Sequence, residues 1–287
     1  MKITKQIAEL REYVKQARKQ GKSIVLIPTM GFLHQGHLSM AEHARRQDEA
    51  RDKFYIVMSI FVNPLQFGPN EDYDKYPRDL GRDAELAQGA GVDLIFAPTV
   101  EEMYPDGKSL TTVNVAELSE GLCGAGRPGH FQGVTTVVSK LFNIVQPDIA
   151  YFGQKDYQQA MIVKKMVQDL NFPIEIIVAP IVREKDGLAM SSRNSYLSPE
   201  ERRQAPVLYR SLQEGAALIK QGETRPEIVI ERISERIRQE SKGQIEYVEI
   251  RRADNLAPLD KINCSVVIAL AVRLGSTRLI DNIVVEV

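Results

Sequence analysis

Cysteine is scarce: Cys123 and Cys264 are the only two in 287 residues, too few for a disulfide framework or a zinc site. A charge surplus is also missing, with 37 Lys and Arg against 38 Asp and Glu. The chain therefore has no net field to draw in nucleic acid or an anionic membrane. The longest apolar run, Val266 to Val272, falls far short of the roughly 20 residues needed to span a bilayer. Met1-Lys2-Ile3-Thr4-Lys5-Gln6 has no apolar signal core, and there are no internal repeats or low-complexity stretches. These absences leave a cytoplasmic protein with a small-molecule partner as the expectation, with no nucleic acid and no membrane involved.

Apolar runs alternate with helix-periodic stretches. Ile7, Leu10, Val14 and Ala17 recur at helical spacing up to Gly21 and precede the strand Ile24 to Ile27. Further strands are expected at Phe54 to Ile60, Val92 to Ala97, Ile149 to Phe152 and Ile174 to Ala179, with Leu110 to Val115 an ambiguous extra one. Helices are expected at Leu80 to Gln88, Thr135 to Val145 and Tyr157 to Leu170. Strands apolar on both faces and separated by helices predict an α/β fold, a Rossmann-like doubly wound parallel sheet. After Val182 the pattern changes to two helices followed by strands at Ile245 to Ile250, Ser265 to Val272 and Arg278 to Val285, the last two forming a hairpin across Leu274-Gly275-Ser276-Thr277. Ser198-Pro199-Glu200-Glu201 reads as a capping box, and Thr224-Arg225-Pro226-Glu227 as a second. The expected organisation is a Rossmann-like domain over 1–182 and a smaller C-terminal α+β domain over 183–287.

The chain is organised around Pro28-Thr29-Met30-Gly31-Phe32-Leu33-His34-Gln35-Gly36-His37, a strand end, a tight turn and a helix start. Gly31 and Gly36 allow close approach of backbone to a ligand, and unpaired N–H groups at a helix start suit an anion. His34 and His37, three apart, would share one helix face and donate to the same phosphate. A surface loop with incidental histidines is the alternative. In an open parallel sheet ligands bind beyond the carboxyl ends of strands, and two more polar stretches fall there. One carries Asn63 and Gln66, able to bind hydroxyl or carboxylate groups; the other, Gly153-Gln154-Lys155-Asp156, offers a compact positive charge for phosphate. Met190-Ser191-Ser192-Arg193-Asn194 adds hydroxyls and a guanidinium suited to polyphosphate.

Other candidates carry less. Asp72, Asp74, Asp79 and Asp83 form an acidic run that could hold Mg2+ through one carboxylate and phosphate oxygens, or simply a solvated face. Gly124-Ala125-Gly126-Arg127-Pro128-Gly129 fits the dinucleotide pattern G-x-G-x-x-G, but no apolar strand leads into it and Asp148 would stand at the wrong sheet edge. Arg127 and His130 in that loop could still line a pocket, whereas His43 reads as solvated. A metal hydrolase built on His34 and His37 lacks a third ligand.

Pro28-Thr29-Met30-Gly31 through His37, Ser59 to Phe67, Arg127-Pro128-Gly129-His130-Phe131, Tyr151 to Gln159 and Ser191-Ser192-Arg193-Asn194 together resemble the pantoate-beta-alanine ligases of the nucleotidyltransferase superfamily, over nearly the whole chain. The resemblance implies that ATP and pantoate give pantoyl adenylate and pyrophosphate, and that beta-alanine then displaces AMP to form pantothenate, with Mg2+ accompanying ATP. Matching positions put Met30, Gly31, Phe32, Leu33, His34, Gln35, Gly36 and His37 at the ATP site, His37 as proton donor and His34 as its phosphate-binding companion. Lys155 neutralises developing charge; Gly153, Gln154, Asp156, Val182, Met190, Ser191, Ser192 and Arg193 also fall on ATP positions. Gln66 and Gln159 match pantoate-binding residues, with Asn63 beside them, and Asp83 matches a metal ligand. Relatives often carry an acid where this chain has Gln154. The family is typically homodimeric. Another adenylyl- or cytidylyltransferase of the same superfamily, or a non-catalytic nucleotide sensor, are the competing readings.

Overall fold

The computed structural model describes residues 1–48, 53–69, 71–107 and 109–287. In chain order the first part holds β1 (Lys2–Thr4), α1 (Ile7–Lys19), β2 (Ser23–Thr29), α2 (Gln35–Gln47), β3 (Phe54–Ile60), α3 (Leu80–Gly89), β4 (Leu94–Phe96) and α4 (Val100–Met103). It continues with α5 (His130–Val145), β5 (Ile149–Gly153), α6 (Tyr157–Asp169) and β6 (Glu175–Ala179). The second part holds α7 (Pro199–Gln204), α8 (Val207–Lys220), α9 (Pro226–Glu240), β7 (Gln244–Arg252), β8 (Val266–Leu274) and β9 (Thr277–Val285).

The first six strands form one parallel sheet in the order β1-β4-β3-β2-β5-β6. Alternation along β2 explains its two covered faces. Ile24 and Leu26 pack with α1, α5 and α6, while Val25 and Ile27 pack with α2 and α3. The chain leaves β2 for β3 on one side and later returns to β5 on the other, so the strand order reverses between β2 and β5. The two strands part early: their ladder ends at Leu26 and Ala150, although β2 runs on through Pro28 to Thr29 against β3. Pro28 does not end the strand as expected, because it lies where one neighbouring strand has already separated. The crevice opened there is where a doubly wound sheet binds its ligand.

The last three strands form an antiparallel sheet in the order β7-β8-β9, backed by α8 and α9 through a core that includes Leu212, Ile233, Ile268 and Val272. Three local expectations are corrected. Residues 111–115 form no strand; Thr135 and Thr136 of α5 bind the Val113 carbonyl and N–H that a neighbouring strand would otherwise take. Ser198 makes the expected capping box with Glu201, but Thr224 caps nothing. The Glu223 carboxylate already accepts the N–H groups of Thr224 and Arg225, which places Arg225 at the cap and Pro226 first in the helix. The expected pair of helices is three, because Pro206 separates α7 from α8.

Candidate active site

At the end of β2 the chain turns sharply. Gly31 has φ +84°, and a Cβ there would come 2.9 Å from Ile60 and 3.0 Å from the Asp83 carboxylate. That carboxylate holds the turn: it accepts the N–H of Phe32 at 2.8 Å and of Leu33 at 2.7 Å. Asp83 is 1% exposed, and burial raises its pKa above the ordinary 3.8 despite those bonds. Both its oxygens serve the turn, a structural role that the reading of Asp83 as a metal ligand did not anticipate. Among the described residues no group of three or more His, Cys, Asp or Glu side chains could hold a metal ion. The described residues therefore offer no cage for a resident metal.

The rings of His34 and His37 lie side by side as expected, although only His37 is on the helix. His34 is the N-cap of α2, with extended backbone, and His37 is the third helical residue. The His34 Nδ1 accepts the Gly36 N–H at 3.1 Å, and the His37 Nδ1 accepts the His34 N–H at 3.4 Å. Gly36 permits this, since a Cβ would lie 2.9 Å from the His34 ring. An Nδ1 that accepts from backbone leaves the imidazole proton on Nε2, so each ring presents an Nε2–H donor. Burial, helped by Lys155, lowers the His34 pKa to about 4. Burial, then His34 and Lys155, hold His37 well below 6.5. Both rings are neutral donors at pH 7. Two of the anticipated backbone donors are already engaged: the Gly36 N–H goes to His34 and the His37 N–H to the His34 carbonyl at 2.8 Å.

These rings face a cavity of about 210 Å3 at the β2/β5 crevice. Met30, His34, Gly36, His37, Asn63, Gln66, Gly153, Lys155, Asp156, Gln159, Val182, Met190, Ser191, Ser192 and Arg193 line it, so the separate motifs of the sequence converge. It opens into a cavity of about 670 Å3 between the two sheets; Arg127, His130, Lys155, Asp156, Gln159, Ser191 and Arg193 line both. Gly31, Phe32, Leu33, Gln35 and Gln154 do not line the smaller cavity. Leu33 is fully buried, Phe32 lies under the Arg82 guanidinium, and Gln35 pairs with Glu42 on the exposed side of α2. Gln154 bonds Asn282 at 3.4 Å.

The pantoate candidates differ from one another. Asn63 is 1% exposed and committed: its amide donates to the Gly133 carbonyl and to Gln66, and its oxygen accepts from Tyr104 at 2.8 Å. It shapes the short turn Pro64–Gln66. Gln66 reaches the cavity and donates to Met30 Sδ at 3.2 Å, whereas the half-buried Gln159 side chain makes no hydrogen bond within the described residues. His130 supports this wall: its Nδ1 donates to the Gln66 carbonyl at 2.8 Å while its Nε2 accepts from Arg127 at 2.9 Å. Burial, then Arg127, lowers its pKa to about 4.

Of the acidic stretch, Asp72 faces a cation, as does its neighbour Glu71. Asp72 grips Arg193 through two bonds of 2.9 Å, and the adjacent Glu71 grips Arg127. The Met190 to Arg193 loop is anchored by Ser192, whose hydroxyl donates to the Phe32 carbonyl at 3.2 Å. Sequence reasoning missed the contribution of β9. Asp281 and Asn282, both 3% exposed, stand against this site, and a buried Asp-Asn pair inside an apolar strand was the available signal.

A family model for pantoate-beta-alanine ligase matches residues 2–284. The chain is 63% identical over 286 residues to a pantothenate synthetase from Desulfitobacterium hafniense, covering 100% of this chain and 99% of that protein. A crystal structure of pantothenate synthetase from Thermus thermophilus is 48% identical and superposes with a TM-score of 0.91 over 99% of each chain. A pantoate-beta-alanine ligase from Francisella tularensis, crystallised with beta-gamma ATP and beta-alanine, is 34% identical with a TM-score of 0.78, covering 99% of this chain and 97% of that one. Crevice, converging motifs and full-length likeness agree: the chain belongs to the pantoate-beta-alanine ligase family.

Proposed function

We propose that this protein condenses pantoate with beta-alanine to pantothenate at the expense of ATP, through a pantoyl adenylate. The observation that carries the reading is the meeting, in one crevice, of two neutral Nε2–H imidazoles and Lys155 with Gln66 and Gln159. The first group suits phosphate, the second a hydroxy acid. A carboxylate oxygen of pantoate attacks the α-phosphorus, and the bond to the pyrophosphate oxygen breaks. The amine of beta-alanine then attacks the acyl carbon, the C–O bond of the mixed anhydride breaks, and AMP leaves as the new amide nitrogen loses a proton. Adenylation needs little covalent help and much charge stabilisation, which the His34 and His37 donors, Lys155 and Arg193 would supply. His37 acts in this reading as a neutral hydrogen-bond donor. Backbone and hydroxyl groups around Gly153, Asp156, Val182, Met190, Ser191 and Ser192 would seat the nucleotide. Mg2+ would enter with ATP, held by phosphate oxygens.

We further propose residues 1–182 as the ATP- and pantoate-binding domain and 183–287 as its lid. The C-terminal sheet supplies the far wall of the larger cavity, which supports this division. A homodimer is proposed from the family's habit. No helix among the described residues is long and apolar enough to cross a membrane, and a cytoplasmic location is the reading consistent with the composition. Exchange of labelled pyrophosphate into ATP tests the function: it should require pantoate and proceed without beta-alanine. Exchange that ignores pantoate but responds to a sugar phosphate would instead identify a transferase that releases its nucleotidylated product.

A further inference from the structure

The two arms of the candidate nucleotide site come from distant parts of the chain, yet both are fastened to the same dipeptide of β9. One arm is the short turn Gln154–Asp156 that carries Lys155. The Asn282 side-chain amide donates to the Gln154 carbonyl at 3.0 Å and to the Lys155 carbonyl at 3.0 Å, and its oxygen accepts from Gln154 Nε2 at 3.4 Å. The other arm is the hairpin from Val182 to Met190, closed by a Met190 N–H bond to the Val182 carbonyl at 3.0 Å and by an Arg183 to Ala189 bridge. Arg183 ties that hairpin to Asp281 through bonds of 2.6 and 3.0 Å, and its guanidinium lies 3.6 Å over the Tyr209 ring. The Asp281 carboxylate also accepts the Asn282 N–H at 2.8 Å, joining the two fastenings.

We infer that Asn282 is a positioning residue for adenylation, fixing the Lys155 turn against β9 so that the ammonium meets the phosphates held by the opposite arm. The inference rests on the functional reading above for the step in which Lys155 acts. Its physical basis is that the strand-end turn is three residues long, with its Gln154 and Lys155 carbonyls held from the side by one buried amide. Without that amide both carbonyls lose a buried donor and the turn can shift. A displacement on the order of 1 Å in a charge-stabilising group can cost about 10²-fold in rate. Asn282→Asp is the informative change: it keeps shape and volume but replaces the donor with an acceptor that repels both carbonyls.

The test compares the wild-type protein with Asn282→Ala, Asn282→Asp and Asn282→Ser, the last retaining one donor should alanine fail to fold. Thermal unfolding establishes which variants are folded. Pyrophosphate exchange should fall by about 10- to 10²-fold in kcat for alanine and further for aspartate, with the KM for ATP moving by less than about threefold. Serine should lie between wild type and alanine. Single-turnover conversion of synthetic pantoyl adenylate by beta-alanine should change much less. A readout free of turnover is protection of Lys155 by ATP against an amine-selective reagent, mapped on peptides. Wild type should be protected and the alanine and aspartate variants should not. A folded aspartate variant with wild-type exchange and protection overturns the inference, as does a loss expressed wholly in the KM for ATP. Wild type that fails to exchange with pantoate, while the protection pattern holds, refutes the functional reading and leaves the positioning role standing.

Discussion

The imidazole rings of His34 and His37 lie 4.0 Å apart between centroids, tilted by 32°, and each commits its Nδ1 to a backbone N–H within the same four-residue turn. Two rings this close and poorly hydrated cannot both carry charge cheaply, which fixes them as neutral donors. The arrangement has a measurable consequence in the ligand-free protein.

Burial depresses the pKa of His34 and of His130 from 6.5 to about 4. Between those values the unfolded chain binds protons that the folded chain does not, so stability rises with pH across the window and is lost as pH falls from about 6.5 to about 4. Each of these imidazoles contributes up to ~3 kcal/mol to that loss. Thermal unfolding should therefore show a lower Tm at pH 5 than at pH 7. Asn at position 34 can still accept the Gly36 N–H without titrating, so His34→Asn should flatten the dependence. A Tm for the variant that falls as steeply as wild type would contradict the assigned protonation.

Gln66, Gln159 and Asn63 look alike in sequence but should fail differently. Gln66→Ala and Gln159→Ala should raise the KM for pantoate by about 10- to 10²-fold, the effect of one lost buried hydrogen bond, with ATP affinity retained. Asn63→Ala instead leaves the Gly133 carbonyl and the Tyr104 hydroxyl without a partner, and should cost about 1–3 kcal/mol of stability. Calorimetry beside steady-state kinetics separates the two outcomes. Equal loss of ATP and pantoate affinity in a folded Gln159→Ala protein would sink the division.

Asp83 anchors the turn that presents the histidines, and Asp83→Asn can satisfy only one of the two N–H groups well. A loss of about 1–3 kcal/mol in stability is expected, with an unchanged Mg2+ requirement. A large rise in the Mg2+ concentration needed for activity, at wild-type stability, would instead assign Asp83 to the metal.

Much of this site was legible in the sequence because its motifs sit at strand ends. The unbroken apolar run Ile24 to Ile27 marked β2, and the glycines and histidines after it located the crevice. What was hidden depends on contacts from afar. β1 is three residues long with Ile3 its sole aliphatic residue, too short for periodicity to register, and owes its place to pairing with β4. Glu223 pre-empts the cap that Thr224 advertises. Asn63 reads as a ligand until Tyr104 and Gly133 close around it. The role of His34 as a cap is local, yet a histidine is an unusual N-cap, so residue preference did not mark it as one.

His37 and Lys155 should matter most in the first half-reaction, where pyrophosphate departs and negative charge builds on it. His37→Ala and Lys155→Ala should lower the rate of pantoyl adenylate formation by about 10² to 10³, the range for one lost charge-stabilising donor. Conversion of supplied pantoyl adenylate with beta-alanine should suffer less. If both folded variants convert the adenylate as poorly as they form it, these groups hold the intermediate throughout and are not specific to adenylation.

Attack by the carboxylate of pantoate on the α-phosphorus of ATP is the central chemical step, and oxygen transfer tests it most directly. Pantoate labelled with 18O in its carboxylate would be turned over with ATP and beta-alanine, and the phosphorus products read by mass spectrometry. One labelled oxygen in AMP and none in pyrophosphate is the predicted result, because the attacking oxygen stays on phosphorus when the amine displaces AMP. Label in inorganic phosphate with ADP as co-product would show an acyl phosphate instead, and unlabelled AMP would show that pantoate never forms the adenylate.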